Sequence, residues 1–228
     1  MKKIFKTSGL LLAISLLFVG LSAEAAKPFE GTITYKITYP GTELDPQMAS
    51  MLPKVATVQI RDNMIKTTIN MGMGMQATIY DSETNTSTSL IDMMGQKYAV
   101  KTTEEEMKKE MDSFETNVEV TDESREIAGY KCKKAVVTVK DKKSGNEFTL
   151  NSWFTNELDI ADMNMINPMF KDIDGTMLQY EVDANGMTMM FTATDVDKGN
   201  VSKSEFEVPE DFKQVTKEEL QSMFGGGM

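Results

Sequence analysis

From Phe29 onward the chain alternates apolar and polar residues with a period of two, in short runs separated by turn-forming residues. Successive side chains of a strand point to opposite faces, so such runs make half-buried strands rather than helices. The runs are FEGTITYKITY (29–39), VATVQIR (55–61), MIKTTIN (64–70), MQATIYD (75–81), STSLID (87–92) and QKYAVK (96–101). They continue as NVEVTD (117–122), CKKAVVTVK (132–140), NEFTLNSWFT (146–155), GTMLQYEVD (175–183), MTMMFTATDV (187–196) and SEFEV (204–208). Asp62-Asn63, residues 81–85, residues 141–145 and Ala184-Asn185-Gly186 supply turns. About a dozen strands at this spacing predict a meandering antiparallel sheet.

Short helical patches interrupt the strands. Residues 45–52 carry Met48, Met51 and Leu52 on one side. Thr103-Glu104-Glu105-Glu106 is a capping box opening a helix in which Met107 and Met111 stand four apart. Residues 158–166 place Ile160, Met163 and Ile166 on one helical face, and Pro168 limits the run. Thr216-Lys217-Glu218-Glu219 is a second capping box, ahead of the glycine-rich end.

The first residues read as an export signal. A basic MKKIFK precedes an apolar run too short for a stable membrane span, and Ala23-Glu24-Ala25 is a small-x-small cleavage site. The expected organisation is a signal peptide at 1–25, a single β domain at 26–215, and a short helix with a flexible tail at 216–228. No cysteine stands near the cut, so the expected product is periplasmic and is not a lipoprotein. No transmembrane segment is expected after cleavage. Removing 25 of 228 residues takes three lysines and one glutamate from a net charge of −11 and leaves −13. Such acidity repels nucleic acid and anionic lipid surfaces. Cys132 is the only cysteine, which excludes an internal disulfide, and the absence of histidine excludes imidazole bases and the usual zinc sites. As a nucleophile Cys132 would lack a base, so it reads as a small packing residue. The acidic stretches 172–175 and 195–200 lack a full calcium-loop pattern and read as turns. No cofactor and no catalytic residue is expected.

Methionine sets the chain apart: 20 of 228 residues. As one strand, residues 71–79 would present Met71, Met73, Met75 and Ile79 on a single face, with Gly72 and Gly74 on the other. Met187, Met189 and Phe191 do the same in 187–193, and the helices add Met107, Met111 and Met163. These ten residues are the expected lining of an apolar cavity between sheet and helices. Methionine is unbranched and polarizable, so it repacks around varied shapes and specifies a fixed core poorly. The same pattern also suits a loosely specified core without ligand. Met-x-Met pairs at 71–75, 163–165 and 187–189 allow a third reading, a Cu(I) buffer.

The segments IAGYKCKKAVVTV (127–139), WFTNEL (153–158), LQYEV (178–182) and FEVPEDFKQV (206–215) resemble a family of exported bacterial domains of unknown function. IRDNMIKTTI (60–69), ATIYDSETNTSTSLID (77–92) and MGQKYAV (94–100) extend the resemblance over nearly the whole chain. That family looks like a relative of the outer-membrane lipoprotein carrier (LolA/LolB-like) superfamily. The resemblance implies one strongly curved antiparallel sheet, an incomplete barrel, with short helices covering its concave face, where carriers hold acyl chains. The functional expectation is a monomeric, non-enzymatic envelope protein binding a hydrophobic ligand or lipid-linked cargo. The alternative is a structural or protein-interaction domain without small ligand.

Overall fold

The computed structural model describes residues 28–158, 160, 163–184 and 186–225. The expected signal peptide, the last three residues and the Asn185 half of the Asn185-Gly186 hairpin signal lie outside them. The strands are β1 (Gly31–Thr38), β2 (Val55–Arg61), β3 (Met64–Met71), β4 (Gly74–Asp81), β5 (Thr86–Met93) and β6 (Gln96–Thr102). They continue as β7 (Phe114–Ile127), β8 (Tyr130–Asp141), β9 (Glu147–Thr155), β10 (Thr176–Ala184), β11 (Met187–Lys198) and the two-residue β12 (Lys213–Gln214). All belong to one sheet in the order β12, β6, β5, β4, β3, β2, β1, β11, β10, β9, β8, β7. Every pairing is antiparallel except β12 on β6, so the sheet is mixed rather than purely antiparallel.

The connection between β6 and β7 bends this sheet. The two strands stand ten positions apart in the order, which in a flat sheet is about 48 Å at ~4.8 Å per strand. Only residues 103–113 join them, and Glu104–Met111 of these form helix α2. Eight helical residues rise about 12 Å, and the remaining residues add at most roughly 15 Å. The sheet must therefore curl until its two ends approach, with α2 crossing the gap. The ends do not pair, so the sheet stays open.

Curling gives the sheet an inner face, covered by α2 and by 3-10 turns at Met163–Ile166 and Pro168–Phe170. Its core includes Ile33, Tyr35, Val58, Ile65, Tyr80 and Phe191, and it continues over Val137, Val139, Leu150 and Phe170. Tyr180 stacks on Phe191 at 4.8 Å and meets Tyr35 edge-on at 5.8 Å. On the outer face, Ala77, Ile79, Leu90 and Ala99 pack against Val201, Phe206 and Phe212 of the C-terminal arm. Lys97 of β6 fixes that arm, with its ammonium 2.6 Å from Asp211.

Both capping boxes form: Thr103 with Glu106, and Thr216 with Glu219 ahead of α3 (Lys217–Gly225). The patch at 45–52 becomes α1 (Pro46–Met51), capped by Asp45. Two expectations fail. SEFEV is not a strand. Residues Lys203–Phe206 form a 3-10 turn that drops Phe206 into the outer core, and Pro209 follows. Of the expected helical patch at 158–166, Met163–Ile166 is a 3-10 turn rather than α-helix, and residues 159, 161 and 162 lie outside the described residues. Within Met163–Ile166, Asn164 turns its Nδ2 to the carbonyls of Ile173 and Gly175, a local alternative to helix hydrogen bonding.

Candidate functional site

The methionine run at 71–75 is a hairpin tip, not a strand. Met71 closes β3, Gly72 and Met73 make the turn, and Gly74 opens β4. Met71 pairs with Gly74, and Met75 pairs with Asn70. Directly paired residues share a face, so Met71 lies on the inner face with Ile65 and Tyr80. Met75 lies on the outer face with Ala77 and Ile79. The expectation that Met71, Met73 and Met75 share one face is therefore corrected. The end of α1 packs closely over the turn at Gly72, where a Cβ would stand 2.8 Å from the Ser50 carbonyl oxygen. Met73 is half exposed at the turn.

The other expected lining residues also divide. Ile79 is buried in the outer core, and Met75 packs beside it. Phe191 is buried in the inner core, Met189 packs half-buried against that core, and Met187 is half-buried at the start of β11. Met107 and Met111 project from α2 toward the inner face. Met163 begins a 3-10 turn, and its side chain lies outside the description.

Two inner cavities abut α2. One, of about 240 Å³, has a floor of hydroxyls: Thr78 of β4, Ser87 and Ser89 of β5, and Thr102 of β6. Strand register sets this floor, because Thr78 faces Ser89 and Ser87 faces Thr102. Its roof is Met107, Met111, Met165, Ile166 and Pro168, with Glu110 and Lys217 at the side. The second cavity, of about 210 Å³, is lined by Tyr80, Asn85, Glu104, Lys108 and the same three methionines, Met107, Met111 and Met165.

A groove of about 680 Å³ lies on the opposite face, between β3–β6 and the C-terminal arm. Its apolar floor holds Met64, Ile79, Ala99, Phe206 and Val208. Its rim carries Asp81, Lys101, Glu106, Lys217, Glu218 and Glu219. An apolar ligand seated there would strip water from several charges, each a costly step. The second inner cavity, walled by Tyr80 and three methionines, suits apolar matter better. Met165 is visible in the sequence only as half of a Met-x-Met pair and Lys217 only as part of a capping box, and the hydroxyl floor has no usable signal, since Ser87 and Ser89 lie in a polar strand run.

Cys132 is fully buried in the inner-core cluster, where its Sγ donates to the Tyr130 carbonyl at 3.6 Å. Burial pushes its pKa up to about 11, against the pull of Arg125. The thiol is therefore protonated at neutral pH and a poor nucleophile. Burial likewise raises the Tyr35 and Tyr180 phenols. Among the described residues, no group of three or more His, Cys, Asp or Glu side chains could hold a metal ion. No helix among them is long and apolar enough to cross a membrane.

A protein-family model described as Domain of unknown function (DUF4412) matches residues 29–175. That span runs from the start of β1 to the start of β10 and includes α2 and both 3-10 turns of the inner cover. No curated protein matches the chain.

Proposed function

The chain belongs to the family described as Domain of unknown function (DUF4412), and we propose that it is a hydrophobic-ligand-binding protein of the bacterial envelope. The ligand is an acyl chain, or another slim apolar group, held between the inner sheet face and α2. One observation carries this reading: Met107, Met111 and Met165 line both inner cavities. A wall of thioether side chains yields more readily than one of branched residues. Neither cavity alone reaches the ~300 Å³ usual for ligand pockets, and joined they exceed it. Rotation of the three shared methionine side chains would join them. Lys217, the cation among the lining residues of the first cavity, would meet an anionic headgroup at the rim.

The resemblance to the lipoprotein carrier superfamily supports the same place for a ligand, under helices on the inner face of an open curved sheet. The export signal and the acidity support a periplasmic protein that works as a monomer. Its role is binding rather than catalysis, since the one thiol is buried and no histidine exists.

The test is fluorescence titration of the mature protein with a C16 fatty-acid probe, in wild type and Ser89→Phe. Phenylalanine at 89 fills the hydroxyl-floored cavity from below. Saturable binding that is lost in Ser89→Phe, with an unchanged melting temperature, supports the proposal. No binding to wild type, or equal binding to both proteins, overturns it and leaves the structural or interaction domain.

A further inference from the structure

Three segments bring methionine to one end of the sheet. The turn between β3 and β4 lies between the end of α1 and the turn between β5 and β6. The Gly72 amide donates to the Met51 carbonyl at 3.1 Å, and the Met94 amide donates to the Met73 carbonyl at 3.1 Å. Within the sheet, Gly74 pairs with Met71 on one side and with Met93 on the other. Those two methionines therefore project from the same face, about 10 Å apart at Cα, across two strand spacings. Between them stands a residue with no side chain. A Cβ on Gly74 would lie 1.9 Å from the Asp92 carbonyl oxygen. With three rotatable bonds each, the two thioethers can meet over the glycine.

Folding does not account for the residue type at the exposed part of this tip. Met51 is 44% exposed, Met73 51% and Met94 77%. Met94 also has φ +52°, a region that suits Asn, Asp or Gly and that a bulky residue enters at a cost. Methionine there gains little burial and accepts strain. What distinguishes it from the usual turn residues is its sulfur.

We propose that this tip binds Cu(I) through the thioethers of Met71 and Met93 over Gly74, completed by Met73 or Met94 from the hydrogen-bonded turns. Neutral thioethers are soft donors that favour Cu(I) over hard divalent ions. They also carry no proton to displace, so affinity should not vary from pH 5 to 8, unlike a site of carboxylates, imidazoles or thiols. The site is separate from the α2 cavities, and the proposal does not depend on their ligand.

The experiment is anaerobic titration of the mature protein with Cu(I) against bicinchoninate, with methionine-methyl NMR using Ag(I) as a diamagnetic stand-in. One Cu(I) per chain is expected, with pH-independent affinity and methyl shifts confined to tip methionines. Met71→Leu/Met93→Leu and Met73→Leu/Met94→Leu should each weaken binding at least tenfold. The second pair lies largely in solvent and leaves folding intact. Met107→Leu/Met111→Leu should bind as wild type. Failure to compete with bicinchoninate overturns the proposal. So does binding that survives both tip variants, or methyl shifts centred on Met107 and Met111.

Discussion

Met71 and Met75, four residues apart in sequence, stand on opposite faces of the sheet. The hairpin between them turns Met71 toward the inner face and Met75 toward the outer core. Gly74 sits at the pivot, and it cannot be replaced without moving β5, because an added Cβ meets the Asp92 carbonyl oxygen at 1.9 Å. Gly74→Ala should destabilise by about 1–3 kcal/mol, the usual range for overpacking. Gly95→Ala has open space around it and only the strain of φ +80° to bear, so its cost should be smaller. Denaturant midpoints of the two variants check the order, and a larger loss at Gly95 would contradict it.

Tyr35 is fully buried, and its hydroxyl donates to the Met177 carbonyl at 2.7 Å, tying β1 to β10. Tyr35→Phe keeps the ring packing and strands that carbonyl. The expected loss is about 1–3 kcal/mol, measured by chemical denaturation. An unchanged midpoint would mean that water replaces the hydroxyl.

The buried thiol gives stability an alkaline limit. Burial pushes the Cys132 thiol in the folded chain up to about 11, from an ordinary value of 9.0. Between those values the unfolded state loses the proton first, so stability falls as pH rises from about 9 to about 11. At 1.36 kcal/mol per unit, this group accounts for about 2 kcal/mol of that fall. Cys132→Ala should flatten the pH dependence in this window while lowering stability at pH 7. Native protein at pH 7 should resist iodoacetamide until it is unfolded.

The cover over the inner cavities depends on a capping box. The Thr103 amide donates to Glu106 Oε2 at 2.7 Å, and the Glu106 amide donates to Thr103 Oγ1 at 3.3 Å. Thr103→Ala should cost about 1 kcal/mol and raise amide exchange across α2 before any other element. The Thr103 amide and the Thr103 hydroxyl, both donating to Glu106 Oε2, also lower the Glu106 pKa. That contribution is present above the ordinary glutamate range and is lost as pH falls through the lowered value. Mild acid should therefore loosen α2 in wild type, and less so in the alanine variant.

Period-two alternation and turn residues made eleven strands legible, because each is local and half-buried. The capping boxes likewise marked α2 and α3 through contacts three residues apart. What failed rests on distant partners. Nothing near Gly72 says that Ser50 and Met51 will pack on it, so residues 71–79 read as one strand. β12 has only two residues, and it pairs with Tyr98 and Ala99 far upstream. Phe206 looks like strand until the outer face of β4 and β5 receives it. Of the candidate site, Met107 and Met111 were readable from their i, i+4 spacing. The hydroxyl floor was not, because Ser87 and Ser89 become a cavity wall only when α2 crosses the bend.

The place of β1 in the strand order sets the order in which the chain can fold. Strands β2 to β6 and β7 to β11 are two runs of neighbours in sequence; short loops join all of these neighbours except β9 and β10, which are separated by residues 156–175. Only β1 joins them, and its bond partners Thr34 and Thr194 are 160 residues apart. Local pairing is fast and distant pairing slow. The two meanders should therefore assemble early, and closure of β1 on β11 should limit the folding rate. Until it closes, β1 and β11 both present unpaired edges; a chain truncated before Met187 lacks β11, leaves β1 and β10 unpaired for good, and should aggregate more readily than the full chain.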